Sequence, residues 1–228
     1  MLDQDLTITA LQNLQQAYTD LREFFRARGV ENFDNDVCRR NLMMSTFHEH
    51  YFTKAFAEQF GEARNDGRTG EADIIITSLD REVECKLTTV TPSGGFNMQT
   101  DYKTLQAKGS LDYLYVLTNR EFTEFAVLYF DGLTTDDFHP PARSSRGKAR
   151  MAKHAGFSKC RVLFGEVEDR TAANLESAKR KLAECSERAV KTRAKLEKAI
   201  EHWEEANASY TIRTEPVPFT QAQMRLAS

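Results

Sequence analysis

Apolar residues recur at helical spacing through the first sixty positions of the chain. The pattern predicts one helix over residues 5–28, which ends at Gly29, and a second over about 37–60, which ends at Gly61. Each helix is expected to bury one face against a core. In the first helix the apolar positions lie alternately three and four apart, at Leu11, Leu14, Tyr18, Leu21 and Phe25.

Strand patterns begin after the polar, turn-rich loop 62–70. Residues 72–79 (ADIIITSL) and 82–89 (EVECKLTT) predict two strands, and only Asp80 and Arg81 lie between them, which predicts a tight hairpin. Residues 99–108 predict a helix, and the apolar runs 112–118, 125–130 and 160–164 predict further strands. This order indicates an α/β fold over residues 37–168, with a central mixed β-sheet flanked by helices.

The pattern changes to heptads over residues 169–209. Leu175 starts a set of residues spaced by seven, and Ala178 starts a second set three positions later, which together make an a/d seam over five heptads. A helix of this length, about 57 Å, has to pack on another helix. A helical hairpin with the N-terminal helical segment 1–36 and a coiled-coil dimer both meet that need. Residues 210–228 are expected to form a C-terminal tail.

Composition adds one localised basic surface to this picture. The 228 residues have a net charge of -3 and no apolar run near the ~20 residues of a membrane span, and the acidic N-terminus is unlike a secretory signal. We therefore expect a cytoplasmic protein with no membrane partner. The four scattered cysteines argue against structural zinc and disulfides. Residues 139–161, expected to be mostly loop at their start, hold seven Lys or Arg and no Asp or Glu, which suggests an anion-binding segment.

Candidate catalytic residues lie on the predicted hairpin. Glu84 and Lys86 alternate with apolar residues and therefore point to one face of their strand. A turn centred on residues 80–81 puts Asp73 opposite residues 86–88, close to this pair if the register slips. Carboxylates suit Mg²⁺, the carbonyl of Cys85 is a further expected metal ligand, and Lys86 is suited to activate water or to stabilise charge.

Asp73, then Glu84-Cys85-Lys86 eleven positions later, resembles the motif of the PD-(D/E)XK nuclease superfamily. The resemblance covers roughly residues 40–120, including the helix before the hairpin, and Ala72 stands where the motif has proline. It implies a restriction-endonuclease-like core, with Asp73 and Glu84 as metal ligands and Lys86 as the catalytic lysine. It also implies an acid from the first core helix, for which Glu49 is the first choice and Glu58 the second.

The expected DNA contacts come from two segments. Gln99 and Tyr102 resemble the Gln/Tyr motif of recombination-type exonucleases, but their spacing is three rather than four, which weakens that assignment. The basic segment is the preferred surface, because Lys and Arg neutralise phosphates and hydroxyls add hydrogen bonds. Its contacts, with those of the preceding helix, are expected from Gln99, Tyr102, Lys103, Arg143, Ser144, Ser145, Arg146, Lys148, Arg150 and Lys153.

The whole pattern is most similar to a type II restriction endonuclease. That resemblance implies sequence-specific cleavage of double-stranded DNA with Mg²⁺, for which Mn²⁺ substitutes, by a homodimer that is paired with a cognate DNA methyltransferase. Two alternatives stay open. One is a structure-specific or phage-type nuclease of the same superfamily. The other is a non-catalytic DNA-binding or coiled-coil interaction protein.

Overall fold

A computed structural model describes residues 2–30, 33, 35–68, 70–91, 95–167 and 171–208. The chain divides into two compact units, residues 1–168 and 169–228. The first unit contains a six-stranded sheet, a three-stranded sheet and four helices among its described residues, and the second contains one long helix. The predicted α/β class with a central sheet is confirmed for the first unit.

Two helices cover one side of the large sheet. Helix α1 (Gln4–Arg26) begins at Asp3, whose carboxylate accepts a hydrogen bond from the Asp5 amide at 2.8 Å. Helix α2 (Val37–Phe60) begins at Asp36 and ends at Gly61, which has a φ of 92°. Both predicted helices are confirmed. The apolar stripe of α1 packs against α2 and the last strand of the large sheet.

The large sheet is mixed, as the sequence predicts. Its order is β1-β2-β3-β5-β6-β9, in which only the β3–β5 pair is parallel. A crossover that contains a short helix joins these two strands, as parallel neighbours require. The strands are β1 (Ala63–Asn65), β2 (Ile74–Ile76), β3 (Arg81–Thr89), β5 (Leu111–Thr118), β6 (Phe125–Leu133) and β9 (Cys160–Phe164).

The β2–β3 connection differs from the predicted tight hairpin. β2 is only three residues long, because Thr77–Leu79 form a 3-10 turn and Asp80 adopts a left-handed conformation with a φ of 50°. Ile74 is consequently opposite Val83. If the antiparallel pairing is extended by one residue, Asp73 lies opposite Glu84. The predicted position opposite residues 86–88 is therefore wrong, because the wider turn uses residues that the prediction gave to the strand.

A second sheet, of order β4-β8-β7, is not predicted from the sequence and takes the first residues of one predicted helix. Residues 99–108 divide into β4 (Gln99–Asp101) and α3 (Tyr102–Lys108), so Gln99 is on a strand and not on the predicted helix. The start of the basic segment, residues 139–147, is mostly loop and turn, as predicted, with the end of β7 (Phe138–His139) and a 3-10 turn at Arg143–Ser145. Its later part contains β8 (Lys148–Met151) and α4 (Lys153–Phe157), which the sequence analysis does not predict.

The centre of the large sheet is covered on both faces, so β5 is buried along its whole length. One face packs on α1 and α2, and its core includes Cys85 and Val116. The other face packs on the small sheet, α3 and α4, and its core includes Tyr113 and Tyr115. Glu84 and Lys86 lie on this second face, since they pair with those two tyrosines across the β3–β5 boundary.

The second unit consists of helix α5 (Thr171–Ala208), which confirms the long C-terminal helix. The described side chains of its predicted seam, including Leu182 and Leu196, are exposed. The side chains of Leu175, Ala178 and Trp203 and the predicted tail 210–228 lie outside the described residues. In the part of the chain that the structure describes, no helix has the length and apolar character needed to cross a bilayer.

Candidate active site

The candidate catalytic residues lie where β2 and β3 separate. Asp73 directly precedes β2 and accepts a hydrogen bond from the Cys85 amide at 2.7 Å. Glu84 and Lys86 flank Cys85 on β3 and form an ion pair with each other. Their side chains are only 13% and 30% exposed, so three charged groups share a small, partly desolvated volume. The structure therefore brings the three predicted residues together, although by a different register.

Glu49 approaches the same volume from α2. Its carboxylate accepts a hydrogen bond from the Asn65 amide on β1 at 3.3 Å, and it interacts electrostatically with both Lys86 and Glu84. Glu58 is exposed on α2. Nine residues are about two and a half helical turns, so the two glutamates point in opposite directions. The geometry favours Glu49 over Glu58 as the acid contributed by the first core helix.

The pKa values in this cluster reflect burial and mutual repulsion. Burial, followed by the charge of Glu84, raises the pKa of Asp73. Burial also raises the pKa of Glu49, which the hydrogen bond from Asn65 opposes. Burial acts to lower the pKa of Lys86, but the neighbouring carboxylates of Glu84 and Asp73 outweigh it and raise the pKa overall. Lys86 is therefore a cation at neutral pH, and the carboxylates resist carrying full charge together.

The carboxylates suit a hard cation more than they suit a zinc cage. Among the described residues, no group of three His, Cys, Asp or Glu side chains is arranged to hold a metal ion. Mg²⁺, however, typically takes only one or two protein carboxylates and completes its shell with water and substrate phosphate. Asp73 and Glu84 supply two carboxylates. The charge of Glu84 helps to raise the pKa of Asp73, and a bound cation would offset this repulsion.

The cysteine between the two β3 residues has a different environment from theirs. The Cys85 thiol points to the helical side of the sheet and is buried, which raises its pKa well above its usual value. Its side chain is thus unsuited to metal binding here, and only its carbonyl is a predicted metal ligand. The proposed role of that carbonyl stays a prediction.

His48 is a buried polar residue beside this site. Neither imidazole nitrogen has a hydrogen-bond partner among the described residues, and the ring packs edge-on to Phe52 at 5.2 Å. Burial, followed by the charge of Lys86, lowers the pKa of His48 to about 3, so the ring is neutral. Its neighbour His50, two positions along α2, is exposed.

The predicted DNA-contact residues do not share one element. Tyr102 and Lys103 begin α3, and the Tyr102 amide donates to the carbonyl of Gly147 at 3.1 Å. The turn before β8 consists of Arg143, Ser144 and Ser145. The first two are exposed, and Ser145 is half-buried. Arg146, Lys148 and Arg150 continue the exposed positions into β8, and Gln99 lies on β4. The backbone of Lys153 is in α4, and its side chain lies outside the description.

The small sheet that carries these residues is not among the elements predicted from the sequence. Lys148, Ala149, Arg150 and Met151 alternate between exposed and buried, which is the period of a half-buried strand and was the available signal. Lys159 belongs to the same basic segment, but it is not part of an unpaired basic surface. The ammonium group of Lys159 instead forms an ion pair with Asp137 at 2.7 Å and donates to the carbonyl of Gly132.

Comparison with known proteins leaves the family open. No protein-family model matches the chain, and no curated protein matches it. A solved structure described as a restriction endonuclease in complex with substrate DNA is similar over 71% of this chain and 99% of its own. The two are 14% identical, with a TM-score of 0.37. At that score the likeness carries no argument, so a function has to be inferred from the site itself.

Proposed function

We propose that this protein is a Mg²⁺-dependent endonuclease that hydrolyses phosphodiester bonds of double-stranded DNA. The observation that carries the proposal is the cluster of Asp73, Glu84, Lys86 and Glu49 at the divergence of β2 and β3. Partly buried charges of this kind are unfavourable for folding alone and accumulate at functional sites. A basic segment without any acid, residues 139–161, supplies the chemistry for a polyanionic substrate.

Asp73 and Glu84 are the residues that would hold Mg²⁺, with the carbonyl of Cys85, and Mn²⁺ is expected to substitute. The cation would supply Lewis-acid polarisation of the scissile phosphate. Because the hydrogen bond from the Cys85 amide fixes Asp73 Oδ2, its other oxygen is the one available to a ligand. Glu49, held by Asn65, is suited to orient a water molecule or to complete the acidic set.

Lys86 acts as a cation in this proposal. Its raised pKa keeps the ammonium protonated at neutral pH, so in the resting site it donates hydrogen bonds and does not accept a proton. Its role is to orient the attacking water or to stabilise the negative charge that grows on the phosphate oxygens. Its ion pair with Glu84 holds the side chain towards the site before substrate binds.

We further propose sequence-specific cleavage by a homodimer, as in a type II restriction enzyme. Two symmetry-related active sites would cut the two strands of a palindromic site. The exposed seam of α5, which includes Leu182 and Leu196, is suited to pairing with a second copy. A cognate DNA methyltransferase acting on the same site is the expected partner of such an enzyme.

The test is cleavage of supercoiled plasmid and of branched DNA, with Mg²⁺, with Mn²⁺ and with EDTA. Discrete plasmid fragments that require metal support the proposal, whereas a smear indicates an unspecific nuclease. Cutting confined to branched substrates indicates a structure-specific enzyme. Lys86→Ala and Asp73→Ala are expected to abolish cleavage. The matched control is Arg28→Ala, which removes a cationic side chain just after the end of α1. Metal-dependent cutting that survives both site variants refutes the assignment, and no cutting at all favours a non-catalytic binding protein.

A further inference from the structure

The small sheet β4-β8-β7 presents one polar outer face. On β8, Lys148 and Arg150 are exposed, whereas Ala149 and Met151 are buried in the core. On β4, Thr100 is buried and its two neighbours are partly exposed. On β7, Phe138 is buried and His139 is exposed. The inner face therefore holds the sheet on the core, and the outer face is free of core packing.

Three side chains on that face form a single cross-strand row. Gln99 pairs with Arg150 between β4 and β8, and Arg150 pairs with His139 between β8 and β7. Paired residues point to the same side, and neighbouring strands are ~4.8 Å apart, so the row spans about 10 Å. The major groove of B-DNA is about 12 Å wide and admits a β-ribbon. A row of this size matches the groove in width.

The charges of the face favour the same row. Asp101 forms an ion pair with Lys148 at 3.6 Å and caps α3, so the adjacent row is largely neutralised. Among the described residues, neither Arg150 nor His139 has an ion-pair partner. The turn that joins β7 to β8 adds the exposed Arg143 and Arg146. A polyanion is thus the complementary partner, and it is drawn to the Gln99–Arg150–His139 row and the turn beside it.

Hydrogen bonds connect β4 of the small sheet to β5, the neighbour of the catalytic strand β3. The Tyr115 hydroxyl donates to the carbonyl of Gln99 at 3.2 Å, and the Tyr113 hydroxyl lies 2.7 Å from Thr100 Oγ1. On β5, Tyr113 and Tyr115 are the direct neighbours of Glu84 and Lys86. The small sheet and one tyrosine layer therefore lie between the row and the strand that carries Glu84 and Lys86, and the hydrogen bonds fix the position of the sheet on that layer.

We propose that the outer face of this sheet reads DNA sequence in the major groove through the row Gln99, Arg150 and His139. The inference rests on the proposed endonuclease function and adds to it the element that determines specificity. A glutamine amide pairs with both adenine N6 and N7, and a guanidinium pairs with guanine O6 and N7. Arg143 and Arg146 contact phosphates, which set position and carry no sequence information.

The experiment measures binding, so that it is independent of cleavage. Lys86→Ala protein without metal is incubated with a pool of random duplexes, and the bound fraction is sequenced. The same selection is repeated with double variants, in which Lys86→Ala is combined with one second substitution. The second substitutions are Arg150→Ala, Arg150→Lys, His139→Ala, Arg143→Ala and Arg28→Ala. Arg150→Lys keeps the strand and the charge but loses the two-pronged donor geometry.

The row variants are expected to change preference, and the turn variant is expected to change affinity. Arg150→Ala and Arg150→Lys relax discrimination about 5- to 150-fold at one base pair. His139→Ala relaxes it at an adjacent pair. Arg143→Ala weakens binding to all sequences and lowers the slope of log affinity against log salt by about 1. Arg28→Ala changes neither quantity.

The failures of the two proposals are distinguishable. A selected motif that both Arg150 variants retain in full overturns the reading row and leaves the endonuclease proposal intact. Absence of any duplex binding, or preference for RNA over duplex DNA, overturns both. A binding motif that relaxes with Arg150, in a protein that never cuts with Mg²⁺, supports the row and overturns the catalytic proposal alone.

Discussion

Replacement of Asp73 by Asn is expected to stabilise the protein and to abolish its activity. Burial and the charge of Glu84 raise the pKa of Asp73 from 3.8 to about 7. Each unit of pKa corresponds to about 1.4 kcal/mol, so the full rise corresponds to about 4 kcal/mol. The side chain is partly exposed, and solvent screening reduces this to about 2 kcal/mol. The amide oxygen of Asn can still accept the hydrogen bond that the Cys85 amide donates.

The effect has a defined pH dependence. The pKa of Asp73 is higher in the folded state than in the unfolded state, so its ionisation opposes folding. The unfavourable contribution is absent below about pH 4, grows as the pH rises and is complete above about pH 7. The gain from Asp73→Asn is consequently near zero at pH 4 and about 2 kcal/mol at pH 8. For a domain of this size that gain corresponds to about 4–8 °C in Tm.

The assay is urea unfolding and thermal melting at pH 4.5 and pH 8 with EDTA, repeated at pH 8 with Mg²⁺ in place of EDTA. Asp20→Asn on α1, an exposed change of the same type, is the control and is expected to alter neither quantity. Mg²⁺ should narrow the difference at pH 8, because it binds the native wild-type protein and stabilises it by mass action. A destabilised Asp73→Asn protein, or an equal gain at both pH values, refutes the reasoning.

Three further substitutions test the site and the fold. Lys86→Met is expected to lower plasmid cleavage at least ~100-fold while DNA affinity in a filter-binding assay is retained, because it removes the charge but not the packing. Arg40→Met should lower the free energy of unfolding by about 2 kcal/mol, since it leaves the partly buried carbonyl of Arg120 without its Arg40 donor; an unchanged urea midpoint contradicts this. Gly165→Ala and Gly29→Ala both place a Cβ at a position with positive φ, which alone is expected to cost ~1–2 kcal/mol of stability. Gly165→Ala should cost well over that amount, because only there would the Cβ lie 2.5 Å from the Phe125 carbonyl oxygen. Equal melting temperatures for the two variants contradict this prediction.

The sequence predicts those elements that a regular pattern defines. Helices α1 and α2 and strands β5 and β6 follow from apolar periodicity and from Gly or Asp at their ends, because one helix or strand face must be buried whatever its neighbours are. The grouping of Glu84 with Lys86 follows in the same way, from strand alternation alone. These predictions need no knowledge of which strands pair.

The parts that the sequence does not predict depend on turn geometry and on distant pairing. The position of Asp73 depends on a 3-10 turn and on the left-handed Asp80, and two residues of turn more or less move it along β3. The small sheet joins β4 to β8 across about fifty residues, and each of its strands has four residues or fewer. The alternation of β8 over four residues marks it as a strand but does not identify its partners, so the pairing is fixed by the core beneath the sheet.

The tyrosine layer explains how the cluster of partly buried charges at the candidate active site and the outer face of the small sheet can be held in a fixed relative position. Tyr113 and Tyr115 are buried on the face that carries Glu84 and Lys86, and their hydroxyls bind β4. A shift of the small sheet therefore breaks two buried hydrogen bonds, each of which leaves a polar group that costs about 1–3 kcal/mol to bury unpaired. The outer face of β4 is held in register with the catalytic strand by that penalty. Recognition residues on an unanchored loop would lack this constraint, because loops are more mobile than the elements they connect.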